Sequence, residues 1–276
     1  MAAHGDASGS SELLYERQGG VATLTLNRPE ARNAVTTSVF REMERVLIEL
    51  EADDEVRAVL LTGAGRGFSA GADVKPMSKE ELRAAEGPGF PGDPGGDILE
   101  RGNRCIRRLR DLPKPVVGAI NGDAVGIGCS LALATDLRIA SETARFGAVF
   151  SRIGLGPDGG ASTLLRELVG PAKALELLFF GEILGADEAL RLGLVNRVVE
   201  PDALGEASRE LADRLAHGPT LAYGFAKQAV YAGASLPFER LLDLESRNQR
   251  IAGRSHDSRD GIRALREKCK PDFTGR

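Results

Sequence analysis

Two stretches hold the residues whose types and spacing suit chemistry. One is "GRGFSAGADV", residues 65–74, and the other is "NGDAVGIG", residues 121–128. Both are nearly bare of side chains, and each follows an apolar run, "AVLLT" or "PVVGAI". Bare backbone after a strand lets a ligand approach main-chain N–H groups. Two such groups aimed at one point form an oxyanion hole, and a helix starting near Gly126 would add the positive end of its dipole. The plain alternative is a pair of tight turns whose glycines supply positive φ. Carboxylates accompany both turns: Asp73 and Asp123 lie within them, and Asp158 lies in "GLGPDGGAS".

Phosphate-cradling fingerprints fail. Gly63 and Gly65 are followed by Phe68, and Gly126 and Gly128 by Leu131, so neither turn reads G-x-G-x-x-G; no Gly-Lys-Ser/Thr ends a Walker loop. Three scattered cysteines, Cys105, Cys129 and Cys269, offer no zinc spacing and no disulfide framework. No metal is expected, and a reducing, cytoplasmic setting fits best. His4, His217 and His256 lie outside every motif, so a Ser-His triad has no support.

The elements that must position these turns are readable in part. "GVATLTLNRP" alternates β-branched residues and stops at Asn27 and Pro29, as a strand does. Val39, Met43, Val46, Leu47 and Leu50 recur at helical spacing over residues 38–52. "VRAVLLTG" and "KPVVGAI" read as buried strands, "CSLALATD" as a small-residue helix, and "LRIAS" and "ARFGAV" as short strands. Residues 78–102, dense in Gly and Pro, predict a loop or lid. From about Ala161 the chain reads as mainly helical, with "LGLVNRVV" as one extended break. No fixed-period repeat is evident. An α/β core followed by a helical section results.

The chain has 276 residues, a net charge of −4 and a pI of about 5.6, which disfavours a nucleic-acid partner. The basic run "RCIRRLR" reads as the solvated side of a helix. The first residues, 1–11, are expected to be a disordered tail, and no apolar run approaches a membrane span.

The motifs "NRPEARNAV", "GRGFSAGADV", "INGDAVGIGCSLALATDLRIAS", "ARFGAVFSRIGLGPDGGAS" and "GLVNRVV", in this order, resemble the crotonase superfamily, the enoyl-CoA hydratase/isomerase family. The ending "SRDGIRALREKCKPDFTGR" resembles that family too. The resemblance implies a spiral of ββα units over residues 12–210 and a helical trimerisation region over 211–276, assembled as a homotrimer or a dimer of trimers. It also implies an acyl-CoA thioester substrate, with coenzyme A present as part of the substrate and no separate cofactor. Matched residue by residue, the oxyanion-hole amides would come from Ala70 and Ile127. Glu30, Arg32, Ala72, Asp73 and Val74 would line the adenine and pantetheine, and Lys268 would reach the nucleotide phosphate, from a neighbouring subunit if not its own. Leu265 departs from the family, standing where an aromatic residue is frequent.

A larger departure concerns the reaction. Hydratases resembling this chain add water with two glutamates, and Ser130 and Phe150 occupy those positions here. Neither side chain can activate water; both become acyl-pocket residues. Asp158, at the position where isomerase-like relatives resemble "PD-G-G", is then the candidate base for a proton shift between two carbons. Its other reading is a helix N-cap. Asp123 reads as a surface or interface residue, and Asp73 as a turn or CoA-border residue. Enoyl-CoA isomerisation is the expected reaction. Hydration or hydrolysis using Asp93, Asp97 or Glu100 is the enzymatic alternative, and a catalytically inactive acyl-CoA-binding scaffold is the non-enzymatic one.

Overall fold

The computed structural model describes residues 11–73 and 97–276. The expected terminal tail up to residue 10, most of the expected loop, Val74 and Asp93 lie outside the described residues. The strands are β1 (Leu13–Gln18), β2 (Val21–Leu26), β3 (Ala58–Gly63), β4 (Val116–Ile120), β5 (Asp123–Val125), β6 (Leu137–Ser141), β7 (Arg145–Gly147), β8 (Ile183–Gly185) and β9 (Arg197–Val199). The α-helices are α1 (Thr37–Ala52), α2 (Asp97–Asp111), α3 (Ile127–Leu133), α4 (Ala161–Phe180), α5 (Ala186–Arg191), α6 (Leu204–Ala216), α7 (Thr220–Ala232), α8 (Phe238–Ala252) and α9 (His256–Glu267).

Six strands form one sheet in the order β1-β2-β3-β4-β6-β9, antiparallel only at the β1–β2 hairpin. Its central strands are covered on both faces, which is why β4 is buried at every residue and reads as an unbroken apolar run. On one face α1 and α2 lie against it through Val39, Phe40, Met43, Val46, Leu47, Cys105 and Leu109. On the other, α6 meets Val21, Ala58, Leu60, Val117, Ala119 and Ile139 through Leu204, Ala207, Ala212 and Ala216. Alanines on α6 let that helix approach closely.

A second, smaller sheet runs β5-β7-β8. Single bridges extend it: Ser69 pairs with Ala124 of β5, and Ala72 pairs with Val35. The wall therefore reads Val35, residues 69–72, β5, β7, β8. Each pass of the chain leaves the large sheet, adds to this wall and returns through a helix, as β4-β5-α3-β6 shows. This mixed α/β spiral followed by helices matches the expected architecture.

Three local expectations change. Asp97–Asp111 is helical, where a loop was expected up to Gly102; Ile98, Cys105, Ile106 and Leu109 form its buried face. The boundary expected at residue 210 falls inside α6, whose Ala212 and Ala216 belong to the sheet's second core. β1, β5 and β8 add strands that the sequence reading lacked.

The terminal helices are tied to the start of β3. Arg57 Nη1 donates to the Phe273 carbonyl at 2.9 Å and Nε to Thr220 Oγ1 at 3.1 Å. Buried Asp257 accepts from the N–H groups of Thr274 and Gly275 at 2.7 and 2.8 Å. On α7, Lys227 Nζ meets Asp136 at 2.9 Å and Tyr231 donates to it at 2.6 Å. This anchorage lies at the edge of the sheet opposite the glycine turns, because β3 runs from Ala58 toward Gly63. Among the described residues no helix is long and apolar enough to cross a membrane.

Candidate active site

The first glycine turn is held by asparagines. Asn33, buried and left-handed at φ 54°, donates from Nδ2 to the carbonyls of Ala64 and Gly67 at 2.9 and 2.7 Å. Asn121 Nδ2 donates to the carbonyls of Gly63, Gly65 and Gly67 at 2.8, 2.9 and 3.1 Å. Ser69 Oγ donates to the Asn33 carbonyl at 2.8 Å. Sequence reasoning missed all three; the asparagine in each motif, beside a turn rich in free carbonyls, was the signal available.

These anchors settle which amides are free. The Ala70 N–H donates to the Arg32 carbonyl at 2.9 Å, so the expected donor is already engaged. Two residues on, the Gly71 carbonyl accepts from Val35 and the Asp73 N–H donates to the Val35 carbonyl, at 2.8 and 3.0 Å. In a trans peptide the C=O and the following N–H point in opposite directions. The Ala72 N–H therefore points away from Val35, toward the β5 side, and among the described residues it has no acceptor.

On that side β5 has just ended. Val125 donates to the Ser69 carbonyl at 2.9 Å, and the chain then swings out at Gly126 (φ 56°, ψ −129°) to enter α3. The strand that would have covered Ala72 is gone. The first N–H of α3, that of Ile127, likewise has no acceptor among the described residues. The two bends touch: a Cβ on Gly71 (φ 93°) would sit 2.8 Å from the Val125 carbonyl oxygen and 3.7 Å from Gly126 Cα. Only glycine satisfies both that torsion and that spacing. One residue beyond each of these touching glycines lies a free N–H.

The other expected residues gather here in part. Phe150 is buried in the short 3-10 helix Val149–Ile153, with its ring edge 3.9 Å from where a Gly126 Cβ would lie. Ser130, fully buried on α3, donates from Oγ to the Asp158 carbonyl at 3.1 Å. Gly159 rests on the same helix: a Cβ there would meet Ser130 Cβ at 2.8 Å and Ile127 Cγ1 at 3.2 Å.

Asp158 does not cap α4. The N-cap is Gly160, left-handed at φ 76°, with no side-chain cap bond, and only the Asp158 backbone carbonyl meets the Ala161 N–H, at 3.0 Å. The Asp158 carboxyl is thus left to itself: Oδ1 is buried and without a hydrogen-bond partner among the described residues. Burial, with no charged neighbour contributing, pushes its pKa up to about 6. A carboxylate of that kind is a base poised near neutral pH.

Among the described residues, three of the other candidate carboxylates are paired with cations. Asp73 pairs with Arg28 at 2.8 Å, and Arg28 also holds Glu12 at 2.9 Å. Asp123 forms a two-pronged pair with Arg145 at 2.7 and 2.8 Å. Asp97 pairs with Arg101 at 2.7 Å, and Glu100 is exposed on α2. Glu30 and Arg32 are exposed and border the first turn, where Pro29 would lie 3.2 Å from a Cβ on Gly65. Lys268, left-handed at φ 54° at the end of α9, is exposed and is not brought to this cluster by any contact among the described residues. No cluster of metal-ligating side chains occurs among the described residues.

Known proteins agree with this architecture. The sequence model of the family described as enoyl-CoA hydratase/isomerase matches residues 16–276. A 1,2-epoxyphenylacetyl-CoA isomerase of Escherichia coli K12 is 40% identical over 265 residues, covering 96% of this chain and 98% of its own. A short-chain-enoyl-CoA hydratase of Clostridium acetobutylicum is also 40% identical, over 261 residues, with 94% and 96% covered. Among solved structures, an enoyl-CoA hydratase from Bacillus anthracis superposes with a TM-score of 0.85 at 30% identity, covering 96% of this chain and all of that one.

Proposed function

We propose, because this chain belongs to the enoyl-CoA hydratase/isomerase family, that it is an enoyl-CoA isomerase with Asp158 as its base. The observation that carries this reading is the half-buried Asp158 carboxyl, whose Oδ1 is buried and unpartnered among the described residues, on a turn packed against the helix that begins with the free Ile127 N–H. The thioester oxygen accepts hydrogen bonds from the N–H groups of Ala72 and Ile127. Charge developing on that oxygen is stabilised by donors already in place, which makes the carbon next to the carbonyl more acidic. Asp158 takes a proton from C2 of a 3-enoyl thioester, and the electron pair spreads onto the thioester oxygen. Returning the proton to C4 moves the double bond to C2–C3. One carboxylate serves both transfers, so neither Ser130 nor Phe150 need be a glutamate.

Similarity to both an isomerase and a hydratase leaves the reaction to the site residues, and these support isomerisation. The reading is tested with 3-hexenoyl-CoA in deuterated water. Conversion to the 2-enoyl thioester with deuterium at C2 or C4 is expected, and water addition to crotonyl-CoA should be slower by at least about tenfold. Robust hydration of crotonyl-CoA would rule for the hydratase alternative, and absence of exchange across several chain lengths for an inactive scaffold.

Coenzyme A enters as the substrate's handle, with Glu30, Arg32 and Asp73 along its path. Three free thiols support a cytoplasmic setting. Assembly as a trimer or a dimer of trimers is supported by apolar side chains exposed on the last three helices, Val230, Phe238 and Leu265 above all. In such an assembly a neighbour's Lys268 is the one placed to reach the nucleotide. Light scattering coupled to size exclusion should give three or six times the 29.3 kDa chain mass; a monomer would remove Lys268 from the CoA site.

A further inference from the structure

Among the described residues Asp73 and Asp123 at the glycine turns are held by Arg28 and Arg145, whereas the Asp158 carboxyl has no such partner and depends on its own backbone for its position. That backbone is gripped from one side. Ser130 Oγ donates to the Asp158 carbonyl across 28 residues of sequence, at 3.1 Å. The next residue, Gly159 (φ 55°), lies so close over Ser130 that a Cβ there would be 2.8 Å from Ser130 Cβ. Ser130 itself is fully buried in α3, three residues after Ile127, whose N–H is free. One short helix thus carries a free amide at its start and, one turn later, the hydroxyl that holds the 158–159 turn.

We propose that Ser130 is a positioning residue for isomerisation, its hydroxyl fixing the Asp158 main chain against α3 so that the carboxyl is held buried beside the Ile127 amide. The proposal rests on the reading of Asp158 as the base. It also accounts for the glycine at 159. The same contact excludes a side chain at residue 159, since a Cβ there would lie 2.8 Å from Ser130 Cβ. The hydroxyl at 130 and the carboxylate at 158 are therefore linked through one hydrogen bond.

The test compares Ser130→Ala, Ser130→Cys and Asp158→Asn. With 3-hexenoyl-CoA, Ser130→Ala should lower kcat about tenfold with KM little changed, because the base is misplaced while CoA binding is untouched. Ser130→Cys, which keeps a weak donor of similar size, should recover part of the loss. A second readout needs no substrate: NMR titration of carboxyl-labelled aspartates, with the Asp158 signal assigned by its loss in Asp158→Asn. In Ser130→Ala that signal should titrate at lower pH than in the wild type, because a released turn lets water reach the carboxyl. An unchanged Asp158 titration in Ser130→Ala overturns the proposal and leaves the base assignment standing. So does a fall in kcat with an unchanged acid limb, which marks Ser130 as packing alone. Full activity in Asp158→Asn overturns the base assignment and the proposal together.

Discussion

Asp158→Asn is expected to lower kcat for proton exchange by about 10²–10⁴, the usual worth of a positioned general base, and to leave acyl-CoA binding within about twofold. The amide is close in shape and cannot take a proton, so the lost activity reports basicity rather than packing. In the wild type the base must be ionised, and its pKa stands at about 6 rather than the ordinary 3.8. Activity should therefore fall as pH drops through about 6, where an unperturbed aspartate would hold it to about 4. Stability carries the same signature with the opposite benefit. Between the unfolded and folded values the native state binds more protons than the unfolded state, so wild-type stability declines as pH rises through that window. Asparagine does not titrate. The variant should melt at a higher temperature than the wild type above about pH 6, and the gap should close below about pH 4. A scan of melting temperature against pH checks this without substrate. A melting gap independent of pH would mean that Asp158 is not held in a desolvated place.

What could be read from the chain alone divides along physical lines. β2, α1, β3 and β4 were legible because burial imposes a period or an unbroken apolar run on each. β5 and β8 are three residues long, too short to show any period, and exist because a neighbouring strand is there to pair with. The start of α2 was hidden by the Gly- and Pro-rich run before it, although Ile98, Cys105, Ile106 and Leu109 already stood at helical spacing. At the site, both glycine turns were visible, but which N–H of the first turn stays free was not: Ala70, the expected donor, is engaged and Ala72 is not. That choice depends on which carbonyls Arg32 and Val35 present, and these arrive from more than thirty residues away. The helix-cap reading of Asp158 was likewise open until Gly160 took the left-handed cap position and left the carboxyl without an N–H to bind.

Gly71→Ala is expected to lower kcat by about 10²–10³, the loss measured when one oxyanion-hole donor is removed. No donor atom is deleted, so the effect is geometric. Residue 71 holds φ at 93°, which an L side chain rarely adopts, and its Cβ would stand 2.8 Å from the Val125 carbonyl oxygen. That oxygen belongs to main chain held by β5, so the 69–72 segment must give way instead. The Ala72 N–H moves with it, away from the place proposed for the thioester oxygen. Gly67→Ala is the matched control in the same turn: a Cβ there meets nothing within 4 Å, and activity should stay near wild type. The acid limb separates this failure from that of Asp158→Asn. Asp158 sits on a different loop, against α3 rather than against residue 71. Gly71→Ala should therefore keep the acid limb of its remaining activity at about 6. Equal kcat in Gly71→Ala and Gly67→Ala would show that the Ala72 amide does not hold the thioester oxygen, and the proton shift would need another source of enolate stabilisation.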